Sequence, residues 1–344
     1  MMNKRLKQGS TFLLAVALTF PLLTLPGAKA ASAIDTDAEC SIQFDIGGSS
    51  ELLNDGVTVQ VNLYKVASVD ESGNYTVTDA FTGLDLSSVS ADNLDTAAAT
   101  WAARAKEAQG KLTDSDGKTV VEPTETVTLQ NGRGTATGLN TGLYLVDTPK
   151  VITPNYTYTF TPYLVSLPTN NYYNNDQTSD DWIYDLTKEY NSAVGLKPEQ
   201  HVRYGKLVIN KELEDHNATF GDKATFVFQI DITTPDNKKE TRIEELTFDA
   251  AGSHSVTIEK IPAGSHVTVT EVYSGASYEL ASAKSQETDI IANPEKKSEV
   301  EFRPAEVSFI NKHDGRTNGG YGIRNNFKLD ETDQYQHIKK AATN

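Results

Sequence analysis

Three runs of alternating residues in the second half of this chain each end on a polar side chain that the alternation turns inward. Gly205–Lys211 reads Gly-Lys-Leu-Val-Ile-Asn-Lys, Val267–Glu271 reads Val-Thr-Val-Thr-Glu, and Val307–Asn311 reads Val-Ser-Phe-Ile-Asn. In an extended strand every second side chain faces the same way. Lys211 therefore shares a face with Leu207 and Ile209, Glu271 with Val267 and Val269, and Asn311 with Val307 and Phe309. An amine, an acid and an amide on apolar faces are costly to bury unless they satisfy one another. They are also the reactants for an amide cross-link between side chains.

The chain opens as a secretory signal does. Lys4, Arg5 and Lys7 precede an apolar run from Thr11 to Leu25, and Ala28-Lys29-Ala30 has the small-x-small cleavage pattern. Pro21 interrupts the run and no stop-transfer cluster follows, so the mature chain is expected to carry no membrane span. The formal net charge of −16 includes the basic residues of this leader, so cleavage makes the chain more acidic still. An acidic exterior argues against nucleic acid and anionic membranes as partners. With a single cysteine, Cys40, a disulfide within the monomer is closed off, and another covalent staple becomes more plausible in a secreted protein. Cys40 follows Asp37-Ala38-Glu39, which is not a lipobox, and reads as a packed thiol near the first strand.

The length of 344 residues suits two domains. In the first half, Ser41–Ile46, Val57–Val66, Thr126–Leu129, Gly138–Val146, Tyr156–Phe160 and Tyr163–Leu167 read as strands, with a turn at Asp70-Glu71-Ser72-Gly73-Asn74. Asp92–Gly110 breaks this pattern: Leu94, Ala97, Ala98, Trp101 and Ala105 recur at helical spacing and Gly110 is a stop. Asn170–Asp181 reads as a polar loop and Trp182–Leu186 as a returning strand. Tyr190–Tyr204 reads as the end of this domain and a linker. In the second half Phe226–Ile232, Leu246–Phe248, Ser255–Ile258 and His266–Val272 read as strands, with a turn at Pro262-Ala263-Gly264. Within the tail, Tyr321–Lys328 reads as a further short strand.

The second half resembles the CnaB-type domains of Gram-positive surface proteins and sortase-assembled pilins. The matching stretches are Leu-Val-Ile-Asn-Lys ending at Lys211, Val267–Tyr278 (VTVTEVYSGASY) and Val-Ser-Phe-Ile-Asn ending at Asn311. The first half resembles the N-terminal domain of the same pilins through Leu63-Tyr64-Lys65-Val66-Ala67, Gly138–Val146, Thr161–Pro168 and Trp182–Leu186, in the family's order. The resemblance implies an all-β fold of tandem immunoglobulin-like (CnaB-type) β-sandwiches, the first with an inserted α-helix. The boundaries read as a signal peptide over 1–30, an N-terminal pilin-like domain over 31–203, a CnaB-like domain over 204–314 and a tail over 315–344.

It also implies roles. Lys211 condenses with Asn311, and Glu271 between them catalyses the bond. Lysine attacks only as the free amine, which its reference pKa near 10.4 forbids at neutral pH. Burial lowers the pKa of the amine and raises that of the acid, and a neutral Glu271 then polarises the Asn311 carbonyl and relays protons as ammonia leaves. The event occurs once per molecule, so the protein is not expected to be an enzyme. In the first domain Lys65 lies on an apolar face without an evident partner Asn, and Asp147 stands near where the acid would fall; no cross-link is expected there. Sortase-built shafts join a lysine at the end of the N-terminal domain to the next subunit. Here Lys197, in Gly195-Leu196-Lys197-Pro198-Glu199, is the first choice and Lys188 the second. The family's order of proline before lysine is reversed at Lys197. Residues 312–344 lack a sortase sorting signal, so the chain is expected to be truncated, shed, or never anchored through its own end.

The implied function is an extracellular structural pilin or cell-surface stalk in a Gram-positive cell wall or pilus, with other pilin subunits and a sortase as partners. The alternative is a surface adhesin that binds a host or matrix ligand through its first domain. A third class, a hydrolase, finds little support. His201, His216, His254, His266, His313 and His337 are scattered without metal spacing, Asp176, Asp180 and Asp181 lack calcium-loop geometry, and no nucleophile elbow or phosphate loop occurs. No cofactor or metal is expected.

Overall fold

The structure is a computed structural model. It describes residues 33–48, 51–87, 89, 97–170, 182–187, 194–217, 223–275, 277–295, 302–315, 326–329 and 335–338. The leader over 1–30, the start of the expected helix at Asp92 and Leu94, the loop over 171–181 with its three aspartates, and Lys188 all lie outside the described residues.

The fold is all-β with a single α-helix among the described residues. Two compact units divide the chain, one ending at His201 and the other starting at Val202, with Pro154–Tyr156 belonging to the second. In the first unit the elements are β1 (Glu39–Asp45), β2 (Gln60–Val69), β3 (Tyr75–Val77), α1 (Ala97–Gly110), β4 (Glu125–Thr128), β5 (Arg133–Asn140), β6 (Gly142–Asp147), β7 (Val151–Ile152), β8 (Tyr156–Phe160), β9 (Tyr163–Leu167), β10 (Thr169–Asn170), β11 (Trp182–Ile183), β12 (Asp185–Leu186), β13 (Val194–Gly195) and β14 (Pro198–Val202). One sheet runs β3-β2-β6-β9 with β4 also on β2. A second joins β1 antiparallel to β5 and parallel to β12 and β13. Small sheets pair β10 with β11 and order β14-β8-β7.

Several sequence expectations change here. The expected run Gly138–Val146 is two strands parted at Thr141. The linker expected over Tyr190–Tyr204 holds two short strands, β13 and β14, and the start of a third. Its polar residues take part in sheets because the backbone, not the side chain, supplies the ladder. The buried side of α1 carries Trp101, Ala105 and Ala108, followed by Leu112, whereas Ala98 is exposed. Ala98 thus leaves the stripe that the alanine spacing predicts, while Trp101 and Ala105 keep it. Alanine carries too little apolar surface to mark a face by itself. This side packs with Tyr64, Leu143 and Leu145 of the β2–β6 sheet.

The second unit holds β15 (Tyr204–Leu213), β16 (Ala224–Thr233), β17 (Lys239–Phe248), β18 (Gly252–Pro262), β19 (His266–Tyr273), β20 (Tyr278–Leu280), β21 (Ser285–Asp289) and β22 (Ala305–His313). They form two four-stranded sheets, β18-β15-β22-β20 and β17-β16-β19-β21. Burial alternates at nearly every residue of β15, β16 and β22, the mark of sheets packed on one face only. Between them lie Leu207, Ile209, Phe226, Phe228, Ile230, Val267, Val269, Val307 and Phe309 among others. β17 and β18 extend beyond their expected cores, through residues that are mostly polar and that break the apolar alternation. The last elements, β23 (Asn326–Leu329) and β24 (Tyr335–Ile338), make an antiparallel pair, part of which the tail reading over Tyr321–Lys328 expected.

Candidate functional site

Lys211, Glu271 and Asn311 meet in the interior of the second unit. β15 and β22 run parallel with Leu213 opposite Asn311 and Lys211 opposite Phe309, so the lysine and the amide are inward neighbours on adjacent strands. Glu271 arrives from the facing sheet, on β19, opposite Phe228 of β16. The β16–β19 ladder slips by one residue here, between Val227 and Phe228. The extra residue, Val272, is 46% exposed. Such a bulge re-aims the side chains beside it. The acid remains buried while the apolar valine next to it turns outward.

All three groups are sealed from solvent: Lys211 and Glu271 are 1% exposed and Asn311 0%. The Lys211 amine donates to Asn311 Oδ1. Asn311 Nδ2 donates to Glu271 Oε1 at 2.7 Å. Lys211 Nζ lies 3.4 Å from Glu271 Oε2, which accepts no hydrogen bond. The amine also sits 4.5 Å from the centre of the Phe226 ring, and Phe228 and Phe309 pack with ring centres 5.1 Å apart.

The electrostatics follow from burial. Loss of water pushes the Lys211 amine down to about 8, with the Glu271 carboxylate opposing the shift. The same loss pushes the Glu271 carboxyl above the usual carboxylate range, against the pull of Lys211 and the Asn311 amide. Both shifts favour the neutral pair over the ion pair. The arrangement puts an amine on the carbonyl oxygen of an amide and a carboxyl on its nitrogen, the three groups that a side-chain transamidation requires.

Sequence reasoning missed three features around the triad: the Phe226 ring under the amine, the bulge at Val272, and His254, directly across the β15–β18 ladder from Lys211. Phe226 and His254 both fall on inward positions of alternating strands, so register would have exposed them. The bulge has no sequence signature.

The other predicted lysines separate. Lys197 is exposed, between β13 and β14, on backbone pinned by two hydrogen bonds: Leu196 N to Asp45 O at 2.8 Å, and Thr161 N to Lys197 O at 3.4 Å. Its neighbour Leu196 is buried. Lys65 is half-buried and faces the same side of its sheet as its pairing partner Tyr144. Cys40 is buried, and desolvation pushes its thiol up to about 12, with Lys65 opposing. Among the described residues no cluster of His, Cys, Asp or Glu has the geometry to hold a metal, and no helix is long and apolar enough to cross a membrane.

A family model described as "Domain of unknown function (DUF5979)" matches residues 207–314, the span that contains the whole triad. No curated protein matches the chain. Among solved structures, the chain is similar to the full-length major pilin SpaD of Corynebacterium diphtheriae, at 13% identity and TM-score 0.25, over 83% of this chain and 100% of that one. It is similar to the major pilin SpaA of the same organism, at 13% identity and TM-score 0.22, over 79% of this chain and 100% of that one. A minor pilin of Streptococcus agalactiae is likewise similar, at 14% identity and TM-score 0.22, over 83% of this chain and 100% of that one. At this identity and TM-score the likeness carries no argument about function.

Proposed function

We propose that this chain is an extracellular structural protein, a pilin or cell-surface stalk, whose second β-sandwich braces itself with an amide bond between Lys211 and Asn311. The observation that carries the reading is the closed set of contacts among one amine, one acid and one amide at 0–1% exposure. As a static feature such a set is expensive. Replacing buried polar groups by packed apolar ones is often neutral or stabilising. As reactants, the same three groups stand together, and burial shifts the amine and the acid toward the neutral forms that the chemistry uses.

The reaction is a transamidation. Lys211 Nζ attacks the Asn311 side-chain carbon while Glu271, which accepts from Asn311 Nδ2 through Oε1 and lies 3.4 Å from Nζ through Oε2, serves as the acid–base group between the two nitrogens. The new Nζ–carbon bond forms, the bond from that carbon to Nδ2 breaks, and Nδ2 leaves as ammonia with a proton that Glu271 passes from the attacking amine. No oxidant or cofactor enters the balance, and Glu271 ends in the state in which it began.

The placement of the bond suits a load-bearing module. Residues 211 and 311 lie on the first and last long strands of the unit, which pair in parallel. A link between them ties the chain's entry into the sandwich to its exit, so tension applied at the two ends passes through the cross-link and leaves the intervening strands unloaded. In this reading Lys197, presented on anchored backbone near the end of the first unit, is the nucleophile offered to a sortase for polymerisation. Immunoblots of cell-wall extracts boiled in detergent test that part. A ladder of very large species that collapses in Lys197→Ala supports it, and a ladder unchanged in Lys197→Ala overturns the assignment.

A further inference from the structure

A histidine stands at the end of the sandwich beside the triad. The inward positions of β18 are Ile258, Val256 and His254, paired with Leu207, Ile209 and Lys211 of β15. Residues directly opposite in an antiparallel pair lie on the same face with their Cβ atoms about 5 Å apart. The first two pairs are aliphatic. The third sets an imidazole against the amine. His254 is exposed, but one face of its ring lies on Phe248, centre to centre 4.3 Å and 14° from parallel. Its Nδ1 is 3.0 Å from the Thr247 carbonyl oxygen, which fixes the ring's orientation. Phe248, fully buried, meets Phe226 edge-on at 5.6 Å, and Phe226 carries the Lys211 amine at 4.5 Å. A continuous set of rings therefore leads from solvent to the reactive nitrogen.

We propose that His254 is a positioning residue of this site: its stacked imidazole closes the end of the sandwich and keeps water from Lys211. The inference rests on the reading in which Lys211 reacts. Water at this end would solvate the ammonium form of the lysine and withdraw it from attack. The other charged groups around the position are Glu212, next to Lys211 on β15, Glu271 from the facing sheet, and Asp249, one residue beyond β17. The contribution assigned to His254 is the area of its ring, so an apolar ring in its place should serve as well.

Freshly translated full chain, shifted into buffers at pH 7 and pH 9 and followed by intact mass, reads the rate at which the form short by one ammonia appears. For His254→Ala the expected rate at pH 7 is about tenfold below wild type. This corresponds to one unit of lysine pKa regained through hydration, and the gap should narrow at pH 9. His254→Phe should stay within about twofold of wild type. A wild-type rate in His254→Ala at pH 7, or a His254→Phe variant as slow as His254→Ala, overturns the proposal. A wild-type chain that never loses ammonia fails the cross-link reading itself. The shielding has its own readout in the Asn311→Ala background, where no bond can form. There a small acylating reagent should label Lys211 several-fold faster when His254 is Ala, and equal labelling overturns the shield.

Discussion

Each unit bonds an acid to an amide, half-buried in the first and fully buried in the second, but among the described residues only the second brings an amine to the pair. In the second unit Glu271 accepts from Asn311 at 2.7 Å and Lys211 touches both. In the first, Asp147 on β6 accepts from Gln109 of α1 at 2.6 Å, and burial pushes its carboxyl up just as it does Glu271. The lysine of the first unit is on the wrong side. Asn62 pairs with Asp147, so the acid faces α1 together with Leu143 and Leu145. Lys65 pairs with Tyr144 and faces the opposite way, toward Cys40. One residue of strand parity separates an acid–amide pair that joins a strand to a helix from a set in which an amine meets both acid and amide. What separates the two sets is thus not the presence of polar groups in the interior but the convergence of three of them at one place.

The largest effect that would break this comparison is in the second unit. Lys211→Ala should abolish the proposed cross-link, whose two residues stand 100 apart in the chain. By the loop-entropy relation used for disulfides, closing a loop of that size is worth about 5 kcal/mol, and its loss should lower Tm by on the order of 20 °C in calorimetry. A Tm within a few degrees of wild type would show that no covalent brace existed. Glu271→Gln should retain full mass for hours after folding, since glutamine cannot pass the proton, although the fold and the Lys211–Asn311 contact are kept.

A smaller, pH-resolved effect should appear in the unlinked Asn311→Ala variant. Lys211 is pushed down to about 8 when folded and returns to the ordinary lysine value when unfolded. Between those values the unfolded chain binds the proton and the folded one does not, so stability should rise as pH rises through this window. The Lys211→Met, Asn311→Ala double variant should lack that rise, and chemical denaturation across the window distinguishes them. In the first unit Gln109→Ala should cost about 1–3 kcal/mol by leaving the Asp147 carboxyl without its partner, with no change in cross-link mass. Smallest of all, Lys65→Met should shift stability by less than about 1 kcal/mol and leave the mass deficit intact. A lost deficit in Lys65→Met would mean that the wrong lysine has been named.

Alternation made the triad legible before any coordinates, because a period of two fixes the face of every residue once the strand is found. The paired registers place Lys211, Glu271 and Asn311 where that rule put them. The same rule left out whatever does not depend on period. The bulge beside Glu271 is an insertion in register between two strands distant in sequence, and nothing local announces it. The first unit was harder to read. Its β12 and β13 are two-residue strands held in parallel by β1, too short for any pattern to show. The Asp147–Gln109 bond joins a strand to a helix, two elements whose relative rotation no sequence period specifies.

The most direct test is the intact mass, under denaturing conditions, of folded full-length protein and of its Glu271→Ala variant prepared alongside. After allowance for the substitution, the account predicts a wild-type chain lighter than the variant by one ammonia, and a branched proteolytic peptide joining Lys211 to Asn311. Equal masses, with Lys211 and Asn311 recovered in separate linear peptides, would contradict it.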